Sequence, residues 1–585
     1  MIFFNLFYNF VQTKKSLVVI YLLVTIIDSL IALLSVLTLV PVIQFMTSEK
    51  SKTVTGPLNY YFDLLTYLGI EFDLVNCLLI FLVVTVISSI SSVILFYVSR
   101  VNGYAIVYEL RAWALCKFYE QGLTFINGHP FGVMQNTFGR EIDKVADAIF
   151  SVLQLISVTI FTLLMVSLSS SLSSQMTTII IMSFLFTAFL SSFMGNKISA
   201  LSSITVSSAN VLSSKLYGPM LNAKNVLSFA REKWAHEVHE KAFKTHIHAA
   251  IKSQALTFVL PEFFKTLSIL IAVSGLFYSL SKGEPLALLL ATLAIFIKLL
   301  PKVSDFSAAY AMIKEAMPSI IQYDKLFPKT GANKHNSKKR SIDGLTSSIV
   351  LENISFSYKT RENVLKDINI EIKKNYFVTF VGFSGSGKTT CADLIMGLYS
   401  PTNGSVMIDG HLLDEIDRSS YLDKVGYVQQ DSVLLDGSIR ENLLWANPEA
   451  SEEDMWRSLG LVSIDEFIKS LPNQLETLVG DRGVSISGGQ KQRISLALAL
   501  VRNPDILILD EVTSALDQES EKIIRQSLKS LSHKLTIISV THRASMAEHS
   551  DMIHVFDKGT IVESGNYNDL MKNKGAFVKL MSGNS

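Results

Sequence analysis

Charged residues are scarce in this chain. Only 18% of its 585 residues are Asp, Glu, Lys or Arg, whereas 49% are hydrophobic, and the mean hydropathy is +0.36. This composition is too apolar for an ordinary soluble protein of this length, so we expect segments that lie in lipid. The 52 basic residues nearly balance the 51 acidic ones, which argues against nucleic acid as a partner.

Cysteine is almost absent as well. The three cysteines, Cys77, Cys116 and Cys391, lie far apart and show no metal-ligand spacing. We therefore expect buried, inert thiols, with some allowance for reactivity at Cys391, which stands beside a glycine-rich loop.

Long apolar runs fill the first part of the chain and stop at about residue 325. From about residue 348, short β-rich runs alternate with amphipathic helical ones, and a polar stretch rich in lysine, serine and glycine separates the two parts. The pattern predicts an α-helical membrane domain at 1–328, a linker at 329–347 and an α/β domain at 348–585.

Six apolar runs in the first part predict membrane spans, since a bilayer needs about twenty residues. They lie at 16–46, 74–99, two runs within 148–196 that a polar turn at 169–175 divides, 260–281 and 285–300. The segments after spans two and four are long and rich in Lys and Arg, so the amino terminus and these loops face the cytoplasm. We expect the helices to continue beyond the membrane and to reverse near residues 128–130 and 217–219.

The α/β part contains a glycine-rich loop typical of phosphate binding. GFSGSGKT, Gly382 to Thr389, follows an apolar run and precedes a helical one, which is the context of a P-loop. Its backbone N–H groups would cradle phosphates, Lys388 would reach the β- and γ-phosphates, and the Thr389 hydroxyl would bind Mg²⁺. The candidate ATP-binding residues here are Gly382, Ser384, Gly385, Ser386, Gly387, Lys388, Thr389 and Thr390.

Two acids end the run ILILDE, Ile506 to Glu511, which is predicted to be a buried strand. Asp510, at the strand end, suits the Mg²⁺ shell. Glu511, one residue later, is placed to polarise a water molecule against the γ-phosphate.

A further glycine-rich loop, DRGVSISGGQKQR, spans Asp481 to Arg493. Ser487, Gly488, Gly489 and Gln490 open what is predicted to be a helix, and its hydroxyl and backbone N–H groups suit an anion. One chain thus carries two loops suited to phosphate.

Five motifs in order resemble the nucleotide-binding domain of ABC transporters: the P-loop, ISGGQ, ILILDE, SALD at 514–517 and THR with His542. The six spans, with FAREKW at 229–234 in the second cytoplasmic loop, resemble the membrane half of homodimeric half-transporter exporters. The layout is similar to that of bacterial flippases for lipid-linked oligosaccharides.

This resemblance implies further site residues. Tyr358 would stack on adenine, His542 would hold the γ-phosphate, and Asp517 would complete the ATP site. Gln430, favoured over Gln429, would touch Mg²⁺ and the attacking water. Asp481 would lie in the segment that meets the opposite subunit.

The resemblance also implies that two nucleotide-binding domains, or cassettes, pair head to tail around two ATP molecules. Each ISGGQ would complete the partner's P-loop. The simplest partner is a second copy of the chain, and a heterodimer is the alternative. Loops near 125–131 and 216–225 would act as coupling helices. We expect an ATP-hydrolysing translocase in the inner membrane of a bacterium, since no transit peptide is visible.

Charges in the spans point to the substrate. Lys298 and Lys302, one helical turn apart, together with Lys265 and Arg100, would form a basic ring for the phosphates of an anionic lipid. Snorkelling lysines explain the same pattern. Asp28 either pairs with one of these cations or lines a wet cavity.

The segment at 57–72 has apolar and tyrosine residues at helical spacing and resembles the external helix of those flippases, or serves as a structural plug. We therefore expect export or flipping of an anionic lipid or lipid-linked oligosaccharide. The alternatives are a multidrug or peptide exporter and a regulatory or channel-gating membrane ATPase.

Overall fold

The fold is given by a computed structural model, which describes residues 2–47, 67, 73–282, 286–328, 339–358, 361–480, 486–512, 518–542 and 544–582. The chain divides into two compact units. One comprises Met1–Gln121 and Phe125–Gly331, and the other comprises Gly122–Thr124 and Ala332–Ser585. The amphipathic segment predicted at 57–72 lies outside the described residues, except for Tyr67, which is exposed.

Helices dominate the described part of the chain as far as residue 326. They are α1 (Ile2–Thr13), α2 (Lys15–Thr47), α3 (Leu74–Glu120), α4 (Gly122–Asn127), α5 (Phe131–Asn136), α6 (Ile142–Leu172), α7 (Ser174–Leu221), α8 (Ala223–Ser228), α9 (Glu232–Ser281) and α10 (Leu286–Leu326). A π-helical turn at Thr137–Glu141 joins α5 to α6.

The membrane-spanning helices follow the six predicted apolar runs. Among the described residues, five helical stretches are long and apolar enough to cross a membrane: Lys15–Ile43, Leu74–Glu120, Phe131–Leu172, Ser174–Leu221 and Glu232–Ser281. The predicted sixth span falls on α10. Helices α3, α7 and α9 have 47, 48 and 50 residues, or roughly 70–75 Å, so they extend well beyond a bilayer as expected.

The second predicted reversal is misplaced. Helix α7 runs through Pro219 to Leu221, and the chain turns only at Asn222, whose backbone N–H and side-chain amide both donate to the carbonyl of Gly218. Pro219 lacks an N–H and so removes one helical hydrogen bond, but the helix continues for two more residues. The turn predicted at 169–175 is also shorter, because only Ser173, the N-cap of α7, leaves the helical conformation.

One cysteine prediction is wrong. Cys77 and Cys391 are buried, but Cys116 is exposed on α3, where its thiol lies 3.2 Å from a carboxylate oxygen of Glu120. The two residues are four apart on the helix surface, so they are neighbours outside the packed face.

The second unit is an α/β fold with two principal sheets. An antiparallel sheet has the order β2-β1-β4-β5, and a six-stranded sheet has the order β12-β11-β3-β10-β9-β6, in which only β12 is antiparallel to its neighbour. The strands are β1 (Ser348–Tyr358), β2 (Arg361–Lys373), β3 (Phe377–Gly382), β4 (Asn403–Ile408), β5 (His411–Leu412), β6 (Val425–Val428), β7 (Gly437–Ser438), β8 (Leu478–Val479), β9 (Ile506–Asp510), β10 (Thr536–Thr541), β11 (Met552–Asp557) and β12 (Thr560–Gly565).

Helices cover these strands. They are α11 (Lys388–Ile395), α12 (Arg418–Leu422), α13 (Ile439–Ala446), α14 (Glu452–Leu461), α15 (Asp465–Ser470), α16 (Gly488–Leu500), α17 (Gln518–Leu531), α18 (Ala544–Ala547), α19 (Tyr567–Asn573) and α20 (Ala576–Ser582). Every residue of β3, β9 and β10 is buried, which is why their sequences are continuous apolar runs instead of alternating ones.

A buried histidine on β11 makes this unit sensitive to acid. The Nδ1 atom of His554 lies 2.8 Å from the Ser564 hydroxyl, while Nε2 is buried with no hydrogen-bond partner among the described residues. Burial therefore lowers the pKa of His554 from 6.5 to about 4, because a proton on Nε2 would leave a charge without a partner.

Acid should therefore destabilise the second unit. Between pH 6.5 and pH 5, His554 becomes protonated in the unfolded chain but stays neutral in the folded chain. This difference lowers the free energy of unfolding by roughly 2 kcal/mol. His554→Gln should flatten this pH dependence in thermal unfolding of the solubilised protein. His549→Gln, at an exposed position, is the matched control, and equal pH slopes for wild type and His554→Gln would contradict the assignment.

Candidate nucleotide-binding site

The predicted nucleotide residues meet at one edge of the six-stranded sheet. The P-loop follows β3, Asp510 ends β9, and His542 follows β10. Register brings these ends level, because Thr541 pairs with Val381 and Val540 pairs with Asp510. Ligands of parallel α/β sheets bind at the carboxyl ends of the strands, so this edge is the candidate site.

The P-loop closes tightly around its lysine. Gly387 has φ +106°, and a Cβ atom there would lie 2.6 Å from Leu365, so only glycine fits. Helix α11 begins at the next residue, and Lys388 Nζ donates to the carbonyls of Gly382 and Phe383 at 2.9 and 3.0 Å. Burial lowers the pKa of Lys388, while Glu511 and Asp510 oppose that shift. The two carbonyls hold the ammonium group inside the loop.

The remaining loop residues differ in exposure. Ser384 and Gly385 are exposed, whereas Ser386 is buried and its Oγ has no hydrogen-bond partner among the described residues. The loop thus offers a polar atom that a phosphate could satisfy.

Thr389 and Asp510 are in direct contact. The Thr389 hydroxyl donates to Asp510 Oδ1 at 3.0 Å. Burial raises the pKa of Asp510, with a further contribution from Glu511, while the Thr389 hydrogen bond opposes it. Two oxygen atoms predicted to bind Mg²⁺ therefore lie together at the end of β9.

Glu511 occupies an unusual backbone conformation. Its φ is +48°, in the left-handed region, and its N–H donates to the carbonyl of Val540 at 2.9 Å. The carboxylate accepts a hydrogen bond from Gln430 Nε2 at 3.2 Å and lies 3.5 Å from His542 Nδ1. The structure thus places the three predicted catalytic side chains in one cluster, and it is Gln430 whose amide makes this contact.

Tyr358 stands beside the start of α11. Its hydroxyl lies 3.0 Å from the Thr390 hydroxyl, and its ring packs edge-on against Phe356 and Tyr399. These contacts fix the ring next to the P-loop.

The second glycine-rich loop forms the amino-terminal cap of helix α16. Ser487 caps α16, its Oγ accepting from the Gln490 N–H at 3.2 Å and its own N–H donating to Gln490 Oε1 at 2.9 Å. A Cβ at Gly488 would meet no atom within 4 Å. No hydrogen bond joins 486–490 to the P-loop among the described residues. Asp481 and Asp517 lie outside the described part of the chain.

Two charged residues near the site were missed from the sequence. Asp393, on α11, has its pKa raised to about 7 by burial and by the nearby Asp510. Arg361, at the start of β2, donates to the Gly385 carbonyl at 3.3 Å. Asp393 is half-buried on a short helix, and its position one turn after Thr389 was the available signal.

The proposed basic ring in the spans is partly neutralised. Lys302 pairs with Asp305, and Lys265 pairs with Glu262, each at 3.2 Å. Arg100 lies over the ring of Phe96, and Lys298 is exposed with no ion pair among the described residues.

Asp28, in α2, is buried and accepts a hydrogen bond from the Ser92 hydroxyl at 3.1 Å. No ion pair of Asp28 with a cation is described in the residues that the structure covers. Its polar partner is a hydroxyl of the neighbouring helix α3.

Comparisons with known proteins agree with this architecture. A sequence profile for the ABC transporter transmembrane region matches residues 18–300, and one for the ABC transporter matches residues 365–514. The heterocyst differentiation ATP-binding protein HepA of Nostoc sp. is 32% identical over 454 residues, which cover 77% of this chain and 74% of that protein. The chain belongs to the ABC transporter family.

Other matches are more limited. A putative multidrug export ATP-binding/permease protein of Staphylococcus aureus is 43% identical over 235 residues, which span only 40% of this chain and 41% of that relative. The structure of a bacterial Atm1-family ABC exporter with ATP bound has a TM-score of 0.83 at 22% identity and covers 96% of this chain and 97% of the other. The likeness in fold is therefore nearly complete.

These findings confirm the predicted fold class, a helical membrane domain of the ABC exporter type followed by a P-loop cassette. The ABC protein is an exporter half-transporter that couples ATP hydrolysis to transport.

Proposed function

We propose that two copies of this ABC half-transporter form a homodimer that flips or exports an anionic lipid, such as a lipid-linked oligosaccharide, across a bacterial inner membrane. ATP would drive the cycle by binding the closed cassette pair more tightly than the open pair, and hydrolysis would reset it. The Nostoc relative, which aligns over both halves of the chain, supports a transporter of this two-part kind.

The P-loop would hold the triphosphate in each cassette. Lys388 would exchange its two carbonyl contacts for the β- and γ-phosphates, and Tyr358 would support the base. The partner's site would gain donors from Ser487, Gly488 and Gly489 of this chain, at the amino end of α16. No described hydrogen bond joins the Ser487 loop to the P-loop of the same chain, which supports the head-to-tail arrangement.

The site also fits a magnesium ion. Proteins usually bind Mg²⁺ through one or two oxygen ligands, with water and phosphates completing the shell. The adjacent oxygens of Thr389 and Asp510 provide such a pair, with the Gln430 amide nearby. When bound there, the ion would neutralise charge on the β- and γ-phosphates.

Glu511 would act as the general base for the attacking water. Its hydrogen bond from Gln430 orients the carboxylate, and Glu511 follows the buried strand β9 in a left-handed backbone conformation. His542, 3.5 Å from the same carboxylate, would hold the γ-phosphate in place.

The observation that best supports a lipid substrate is the position of Lys298. Its charge is exposed on α10, about 18 Å of helix from Leu286, and charge at this depth is costly unless it has a use. A phosphate headgroup would supply an ionic partner, which Lys298 lacks among the described residues.

A multidrug exporter is the second candidate. The ion pairs of Lys302 and Lys265 reduce the positive charge of the proposed ring, and the buried Asp28 would favour a cationic substrate. A putative multidrug exporter is among the relatives, although it aligns with only 40% of this chain.

Lys298→Ala should separate these candidates. In liposomes, we expect a polyprenyl-diphosphate sugar to stimulate ATP hydrolysis by the wild type, and Lys298→Ala to reduce that increment at least roughly 5-fold through loss of a charge-assisted contact. Lys282→Ala is the control, since this exposed lysine lies at the carboxyl end of α9. Stimulation by lipophilic cations alone would support the multidrug exporter, and an unchanged lipid response in Lys298→Ala would exclude this lysine.

A further inference from the structure

Arg361 is paired in space with the predicted adenine-stacking residue. Strands β1 and β2 form an antiparallel hairpin in which Tyr358 and Arg361 are the last paired residues. Directly opposed residues of antiparallel strands point to the same face, with Cβ atoms about 5 Å apart. The ring and the guanidinium therefore leave the sheet on the same side.

Both side chains reach the P-loop, but at different points. The Tyr358 hydroxyl contacts Thr390, at the start of α11, whereas Arg361 Nη2 donates to the Gly385 carbonyl at 3.3 Å. A Cβ on Gly385 would lie 3.8 Å from the same nitrogen. The guanidinium thus lies over the exposed part of the loop, beside the ring that would support the base.

The guanidinium keeps most of its capacity to bind. Arginine has five N–H donors, and only the bond to Gly385 is described for Arg361. No carboxylate lies within ion-pair distance among the described residues, and the side chain is exposed. An exposed cation with no counter-ion among the described residues, on the rim of a site for a polyanion, is suited to a phosphate.

We propose that Arg361 binds the nucleotide between its base and its β-phosphate, at the ribose and α-phosphate. A nucleotide with its base at Tyr358 and its terminal phosphates at Lys388 must pass this part of the rim. The guanidinium would move from the Gly385 carbonyl to an α-phosphate oxygen, so that it closes the site after the nucleotide has entered. The inference rests on the nucleotide site of the proposed function and does not depend on the transported substrate.

Nucleotide affinity of the full-length protein in detergent tests this role. Dissociation constants of ADP and of the non-hydrolysable analogue AMP-PNP would be measured by competition with a fluorescent nucleotide. Arg361→Gln keeps an N–H donor for Gly385 but loses the charge, so we expect roughly 3- to 10-fold weaker binding of both nucleotides. Arg361→Lys should lose less, and Lys366→Gln, at an exposed position on the same strand, should bind as the wild type does.

The outcomes are distinct. Equal losses for ADP and AMP-PNP support a contact on the α-phosphate side. A loss restricted to AMP-PNP places Arg361 at the γ-phosphate and overturns the proposal, and wild-type affinity in Arg361→Gln shows that it only braces the loop. Lys388→Ala, measured in parallel, should abolish binding. Normal binding in Lys388→Ala would refute the nucleotide site itself, whereas loss there with no change in Arg361→Gln would refute only this inference.

Discussion

Replacing Glu511 with Gln is expected to abolish ATP turnover and to leave ATP binding intact. The amide keeps the size of the side chain and can still meet Gln430, but it cannot accept a proton from the attacking water. A general base contributes about 10²- to 10⁴-fold to rate, so hydrolysis should fall at least 100-fold. Steady-state phosphate release and equilibrium binding of ATP would measure the two effects separately.

A matched control distinguishes loss of the base from loss of charge in the cassette. Glu466→Gln removes an exposed carboxylate of the same unit and should retain full turnover. Turnover within a few-fold of the wild type in Glu511→Gln would show that another group activates the water. Loss of ATP binding in that variant would show instead that Glu511 supports the fold of the site.

Much of the cassette could be predicted because its strands are buried on both faces. Continuous apolar runs such as ILILD identify such strands, and the chemistry stands where each strand ends. Arg361 was missed because a sequence motif does not show which residues pair across two strands. Its role comes from pairing with Tyr358 across a hairpin, and register across strands is not visible in a list of motifs.

The membrane domain was predictable in outline and less so in detail. Hydropathy identifies spans because lipid demands a minimum length, but it does not show where a helix ends in water. The prediction therefore missed that α7 runs past Pro219. The short helix α1 was not predicted, since its twelve residues fall below that length. The Lys302–Asp305 and Lys265–Glu262 pairs could have been found from their spacing of three residues.

The DRGVSISGGQKQR loop is the sequence feature on which the proposed dimer depends. Its described residues cap their own helix, and no hydrogen bond joins them to the P-loop of the same chain among the residues that the structure describes. A capped helix end with an open position at Gly488 still presents N–H groups to an anion. In the proposed homodimer, the second cassette would supply the phosphates that these N–H groups bind.

Mixed dimers should reveal which P-loop each ISGGQ loop completes. Two differently tagged copies would be co-expressed and purified through both tags. In the first pair, one copy carries Lys388→Ala and the other carries Ser487→Arg. In the second pair, one copy carries both changes and the other is wild type. If the cassettes pair head to tail, the first pair keeps one intact site and the second pair keeps none.

Vanadate trapping of labelled nucleotide measures closed sites directly. The head-to-tail arrangement predicts about one trapped nucleotide per dimer in the first pair and almost none in the second. If Ser487 completed the P-loop of its own chain, the result would be reversed, because both sites would be damaged in the first pair and one would survive in the second. Each pair has the same two substitutions, so differences in stability or expression cannot produce the reversal, and the comparison isolates the geometry.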